Sequence, residues 1–144
     1  MTPSMSRRST FAIAAVLSML LSGCAKEATL GGGDLIATTG DLTIVAPEPG
    51  ASFTPDSVPV ELSLTDATVL EEASTDVRSD TGHVHVTLDE KILTILAGLE
   101  FDLVEVNGAP LEPGLHLLEV EFVAANHSPF SPREIEQLTF TVTG

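Results

Sequence analysis

Apolar and polar positions fall into three regimes along the chain. Residues 11–21, FAIAAVLSMLL, are apolar but for Ser18. That run is too short to cross about 30 Å of hydrocarbon, which takes roughly 20 apolar residues as a helix. Arg7 and Arg8 stand just before it. A short apolar helix behind a basic start is the pattern of an export signal peptide. Residues 25–40 contain Gly31-Gly32-Gly33 and few large side chains, so they read as a flexible tether. From residue 41 the chain alternates, and alternation places every second side chain on one face of a strand.

Leu42 and Ile44 predict a short strand, stopped by Pro47-Glu48-Pro49-Gly50. Val58, Val60, Leu62 and Leu64 alternate with polar residues, and Pro59 lies near the strand start, where a missing N–H is tolerated. Residues 65–82 are polar and acidic and predict a long loop with a short helical turn at 69–73. Val84, Val86 and Leu88 alternate with His83, His85 and Thr87. Residues 92–99 are apolar without a decisive period. Residues 101–106 predict a strand ending at Asn107-Gly108. Leu118, Val120 and Phe122 alternate with Glu119 and Glu121; residues 125–133 predict a loop; Leu138, Phe140 and Val142 alternate with threonines. About seven short strands divided by turns predict an all-β fold, an antiparallel immunoglobulin-like β-sandwich over residues 41–144. A helical signal peptide (residues 1–23) and a tether (residues 24–40) precede it.

The junction between leader and tether carries the first specific chemistry. Leu21-Ser22-Gly23-Cys24 resembles the lipobox of bacterial lipoproteins at all four positions. The resemblance implies that the Cys24 thiol takes a diacylglyceryl group and that cleavage leaves Cys24 as the first residue. A thiolate is the strongest nucleophile a side chain offers at such a site. Two or three acyl chains anchor stably, where one would be marginal. The expected partner is therefore the membrane, through lipid on Cys24, and the expected place is the cell envelope. Ala25 stands where an enterobacterial inner-membrane retention signal has Asp, so outer-membrane placement is expected in a cell with two membranes.

Composition narrows the function. Without its leader the chain sets 21 acidic residues against Lys26, Arg78, Lys91 and Arg133, a net charge of −17 with histidine neutral. Such a surface repels nucleic acid and anionic headgroups. Trp and Tyr are absent, which argues against the stacked-ring platforms that bind carbohydrate or single-stranded nucleic acid. An envelope protein partner stays open. Cys24 is the only cysteine, so no intrachain disulfide is available.

Four histidines remain: His83, His85, His116 and His127. On a strand, His83 and His85 point the same way, about 7 Å apart by rise. That spacing can put two imidazoles on one copper or zinc ion, with His127 and then His116 completing the set. Parity puts His83 and His85 on the outer face and His116 on the inner one, so the alternative is four structural or solvated histidines.

A second resemblance rests on these residues. Gly82-His83-Val84-His85-Val86 leading to Leu88-Asp89, then Pro113-Gly114-Leu115-His116, then Asn126-His127-Ser128-Pro129, is similar to a group of bacterial immunoglobulin-like domains of exported proteins. Their pattern is GHxHxxxD…PGxHxL…xHxP. The likeness covers about residues 41–144, implies the fold and brings no activity with it. Ala125-Asn126 departs from the Asn-Asp often found before the last histidine. Gly-His-Val-His is also similar to the copper-ligand strand of copper/zinc superoxide dismutase, but the disulfide, zinc loop and arginine segment of that enzyme have no counterpart.

Catalysis finds little footing. No G-x-S-x-G elbow, H-E-x-x-H helix or Gly-rich phosphate loop occurs. Glu71-Glu72 and Glu119/Glu121 read as solvated charge. The leading expectation is a non-enzymatic, membrane-anchored binding or structural domain; the alternative is a copper- or zinc-binding module.

Overall fold

The computed structural model describes residues 35–96 and 98–144. The expected leader and Cys24 lie outside them. Nine strands and one helical turn follow in order: β1 (Asp41–Ala46), β2 (Ser52–Phe53), β3 (Pro59–Thr65), β4 (Thr68–Val69), β5 (Thr81–Leu88), β6 (Lys91–Leu96), β7 (Glu100–Asp102), α1 (Leu103–Asn107), β8 (Gly114–Ala124) and β9 (Pro129–Val142).

The strands form two sheets. One is three-stranded, in the order β1-β3-β7. The other runs β2-β9-β8-β5-β4, with β6 also paired to β5. The long pairs β1/β3, β5/β6, β5/β8 and β8/β9 are antiparallel; the two-residue strands β2 and β4 join β9 and β5 in parallel. Leu42, Val60 and Leu62 from the smaller sheet pack against Val84, Val86, Leu118, Val120, Phe122 and Phe140 from the larger, all buried. This is an immunoglobulin-like β-sandwich. The alternation made it so: each apolar half of a strand found the other sheet, and with no disulfide among the described residues that packing holds the fold together.

Four expectations are corrected. Residues 101–106 are not one strand. Asp102 ends β7 and caps α1, accepting from Val104 N at 2.8 Å, and Gly108 closes the turn in the left-handed region at φ 76°. A side-chain acceptor before the turn and a glycine after it outweigh a short apolar run. No helical turn forms at 69–73; Thr68–Val69 pairs instead with Thr81 and Gly82. The loop at 125–133 is shorter than expected, because β9 already pairs at Pro129, opposite Val123. The register then jumps to Phe122 opposite Glu134, and Phe130, left out of the ladder, drops into the core 5.3 Å from the Phe122 ring. Finally, packed chain begins before residue 41. Ile36 lies against the core, its carbonyl accepts from Ser131 N, and Thr39 N donates to Ser79 O.

Candidate histidine site

Gly82 opens the site. A Cβ there would stand 1.9 Å from the Val123 carbonyl oxygen, so only glycine lets β5 run this close to β8. Val84, Val86 and Leu88 then turn into the core, and His83 and His85 turn to the outer face, as parity requires.

His83 is nevertheless only 2% exposed. The chain leaving β4 covers it from one side and the turn after β8 from the other. Its Nδ1 lies 3.0 Å from Leu70 O and its Nε2 3.2 Å from Ala125 O. Both ring nitrogens thus face carbonyl oxygens, and neither is offered outward.

His127 sits on a tight turn. His127 N donates to Ala124 O, and Ala124 N to Ser128 O. Asn126 Oδ1 accepts from Ser128 N. The backbone at His127 is left-handed, φ 64°, a conformation that a non-glycine side chain adopts at a cost of about 1 kcal/mol or more. That bend folds the imidazole back over the sheet. It stacks on His83 with ring centres 4.6 Å apart and planes at 13°, and lies 5.5 Å from the His85 ring at 23°. His85 Nε2 and His127 Nδ1 face each other at 3.2 Å. One of the two must carry the shared proton. Half-burial holds the pKa of His85 below its usual value; the neighbouring His127 and His83 push the same way, and Glu121 opposes them.

Glu121 stands directly across from His85 in the β5–β8 register. Sequence placed it on a solvated outer face. The face is right, but Glu121 is 8% exposed, because Arg133 closes over it with a bidentate pair: Nε to Oε1 at 2.7 Å and Nη2 to Oε2 at 2.6 Å. Nothing in the sequence signals this pair. Arg133 belongs to the segment that the register jump throws out of the ladder, and only that jump brings it over β8.

His116 lies elsewhere. It sits five residues along β8 from Glu121, about 17 Å by strand rise, with its ring stacked 5.4 Å from Phe140. Nδ1 donates to Asp89 Oδ2 at 2.7 Å and Nε2 to Glu112 O at 2.8 Å; Asp89 Oδ1 accepts from Leu117 N. Burial lowers the His116 pKa, but the Glu112 carbonyl and the Asp89 carboxylate outweigh it, so the net shift is upward.

Three of the four histidines expected as ligands therefore meet, and His116 stands apart. Among the described residues no three His, Asp or Glu side chains form a ready metal-binding group. The arrangement is a stack of imidazoles with one nitrogen pair face to face and, beside it, a carboxylate paired with Arg133. No helix among the described residues is long and apolar enough to cross a membrane.

No family model matches the chain, and no curated protein matches it in sequence. Among solved structures, the fibronectin(III)-like modules of Clostridium thermocellum CbhA are similar at a TM-score of 0.46 and 10% identity, over 71% of this chain and 96% of that one.

Proposed function

We propose that the chain is a lipid-anchored protein of the bacterial cell envelope whose immunoglobulin-like sandwich works without catalysis, as a binding or structural module displayed at the membrane. The observation that carries this reading is the short distance in sequence from lipobox to core. Cys24 lies 12 positions before Ile36, the residue at which packing against the core begins. A chain of that length reaches about 40 Å at most. The domain would be held within its own diameter or so of the bilayer, and its acidic surface would keep it from lying on anionic headgroups. Outer-membrane placement follows from Ala25 in a cell with two membranes.

The non-enzymatic half draws support from how the polar groups are used. His83 is bonded to carbonyls, Glu121 to Arg133, and Asp102 to the start of α1 and to Ser57. Each of these serves the fold. A protein partner would find apolar surface on Ile92 and Ile95 of β6 and on Leu115 and Leu117 of β8, all exposed.

The test is metabolic labelling with palmitate in a bacterial host, followed by mass analysis of the mature N-terminus. A mature chain starting at acylated Cys24, with label and membrane association lost in Cys24→Ala, is the expected result. A mature chain that starts elsewhere, or carries no acyl group, overturns the reading.

A further inference from the structure

We propose that His85 and His127 form a metal site on the outer face of the larger sheet, taking one zinc-type divalent cation between His85 Nε2 and His127 Nδ1, with Glu121 as third ligand once Arg133 releases it. The site is independent of the lipid anchor.

The first support is a distance. Two imidazole nitrogens on one tetrahedral ion, each bonded at about 2.05 Å, lie about 3.3 Å apart. His85 Nε2 and His127 Nδ1 are 3.2 Å apart. The spacing of the pair suits a cation, and each ring has to tilt so that its lone pair points at the ion and not along the line to the other nitrogen. The bond balance is simple: the donating ring moves its proton, through solvent, from the inner nitrogen to its outer one, so both rings stay neutral, both facing nitrogens present lone pairs, and two N–metal bonds replace one hydrogen bond.

The second support is rigidity. The left-handed backbone at His127 and the stacking on His83 hold the His127 ring in place. His83 cannot be a ligand itself, since a carbonyl oxygen stands at hydrogen-bond distance from each of its nitrogens. It serves as the platform that orients the ligand above it, the usual work of a supporting contact around a metal. His116 is excluded by its distance and by donating from both nitrogens.

The third support is the carboxylate. Glu121 faces His85 across the ladder and both of its oxygens are occupied by Arg133. The Arg133 side chain is 57% exposed, so it can swing into water without opening the core. Two neutral imidazoles and one carboxylate leave a fourth position for water, a donor set that suits zinc. The chain's net charge of −15 raises the local concentration of cations.

The experiment titrates zinc(II) into the full-length chain, purified in detergent without a histidine tag, with cobalt(II) as a visible probe of geometry. One equivalent should bind, and cobalt(II) should give the intense visible bands of a tetrahedral site. His85→Gln and His127→Gln should each weaken binding by more than the roughly 100-fold that loss of a supporting contact costs. His116→Gln should leave affinity unchanged. Arg133→Ala should tighten it several-fold, because Glu121 loses its competitor. Ring-nitrogen NMR of the unsubstituted chain guards against variants that fail to fold: zinc should move the His85 and His127 resonances and leave those of His116. A folded chain that takes up no zinc overturns the proposal. So does binding that both His85→Gln and His127→Gln retain, or zinc that moves the His116 resonances instead. Binding that Arg133→Ala weakens or leaves as it was overturns the role of Glu121.

Discussion

His85 sits midway along the pairing of β5 with β8 and His116 lies on β8 just beyond it, and their surroundings treat an imidazole in opposite ways. At His116 both nitrogens donate, one of them to a carboxylate, and the charged ring is favoured. At His85 the neighbours are other imidazoles and partial burial, and the neutral ring is favoured. The contrast teaches that histidine count says little about chemistry. Where both nitrogens donate and one acceptor is a carboxylate, the charged ring is favoured and works as a structural contact. A ring that faces a second ring keeps a lone pair in play.

Four substitutions sharpen or break that contrast. Gly82→Ala should do most damage, since its Cβ would collide with the Val123 carbonyl and force β5 away from β8. A loss of about 3 kcal/mol or more is expected in urea unfolding. Little change would mean that β5 and β8 separate easily at the histidine end.

His83→Ala comes next. It removes a buried ring and leaves the Leu70 and Ala125 carbonyls without it. About 2–3 kcal/mol should be lost, and the His127 ring should lose its fixed position, visible as averaging of its side-chain NMR signals. A His127 ring that stays ordered would show that the turn alone holds it.

Arg133→Ala leaves the Glu121 carboxylate buried without its guanidinium. A fully buried pair broken this way would cost about 3–5 kcal/mol, and the exposure of Arg133 reduces that to about 1–2 kcal/mol. Chemical denaturation checks the value, and raising the salt concentration should reduce it, since the guanidinium is exposed to solvent.

His116→Gln should have the smallest effect and the clearest dependence on pH. The folded pKa is raised above the ordinary 6.5. The stabilisation is thus complete below about 6.5 and is lost as pH rises through the folded value. The variant should be less stable than the parent by about 1 kcal/mol in mildly acidic buffer and equal to it in alkaline buffer. A difference that grows with pH would reverse the assignment of the charged ring.

Much of the sandwich was legible in the alternation. Val84, Val86 and Leu88, then Leu118, Val120 and Phe122, then Leu138, Phe140 and Val142, are the buried faces of β5, β8 and β9. Parity also sent His116 inward, where it meets Phe140. What escaped the pattern depends on the third dimension. The early start of β9 and the register jump follow from Phe130 finding the core, and a period of two does not encode that. The turn that closes on Gly108 depends on a cap, and the cap reads clearly only once Ser57 is seen to donate to the same carboxylate. The histidine site was half legible. His83 and His85 share a face by spacing, but burial of His83 comes from two carbonyls, and the approach of His127 comes from one left-handed residue.

The parallel pairing of β2 with β9 gives the fold a mechanical character. Gly50 N donates to Thr139 O, Thr141 N to Ala51 O, and Thr143 N to Phe53 O. Consider tension applied to the N-terminal side of residue 50 and to Gly144 in opposite directions. The pull runs along both strands and across these bonds, so they are loaded together in shear and do not unzip one at a time. A module pulled between its two ends would resist at this patch, and the histidine face on β5 and β8 would be spared until the patch gave way.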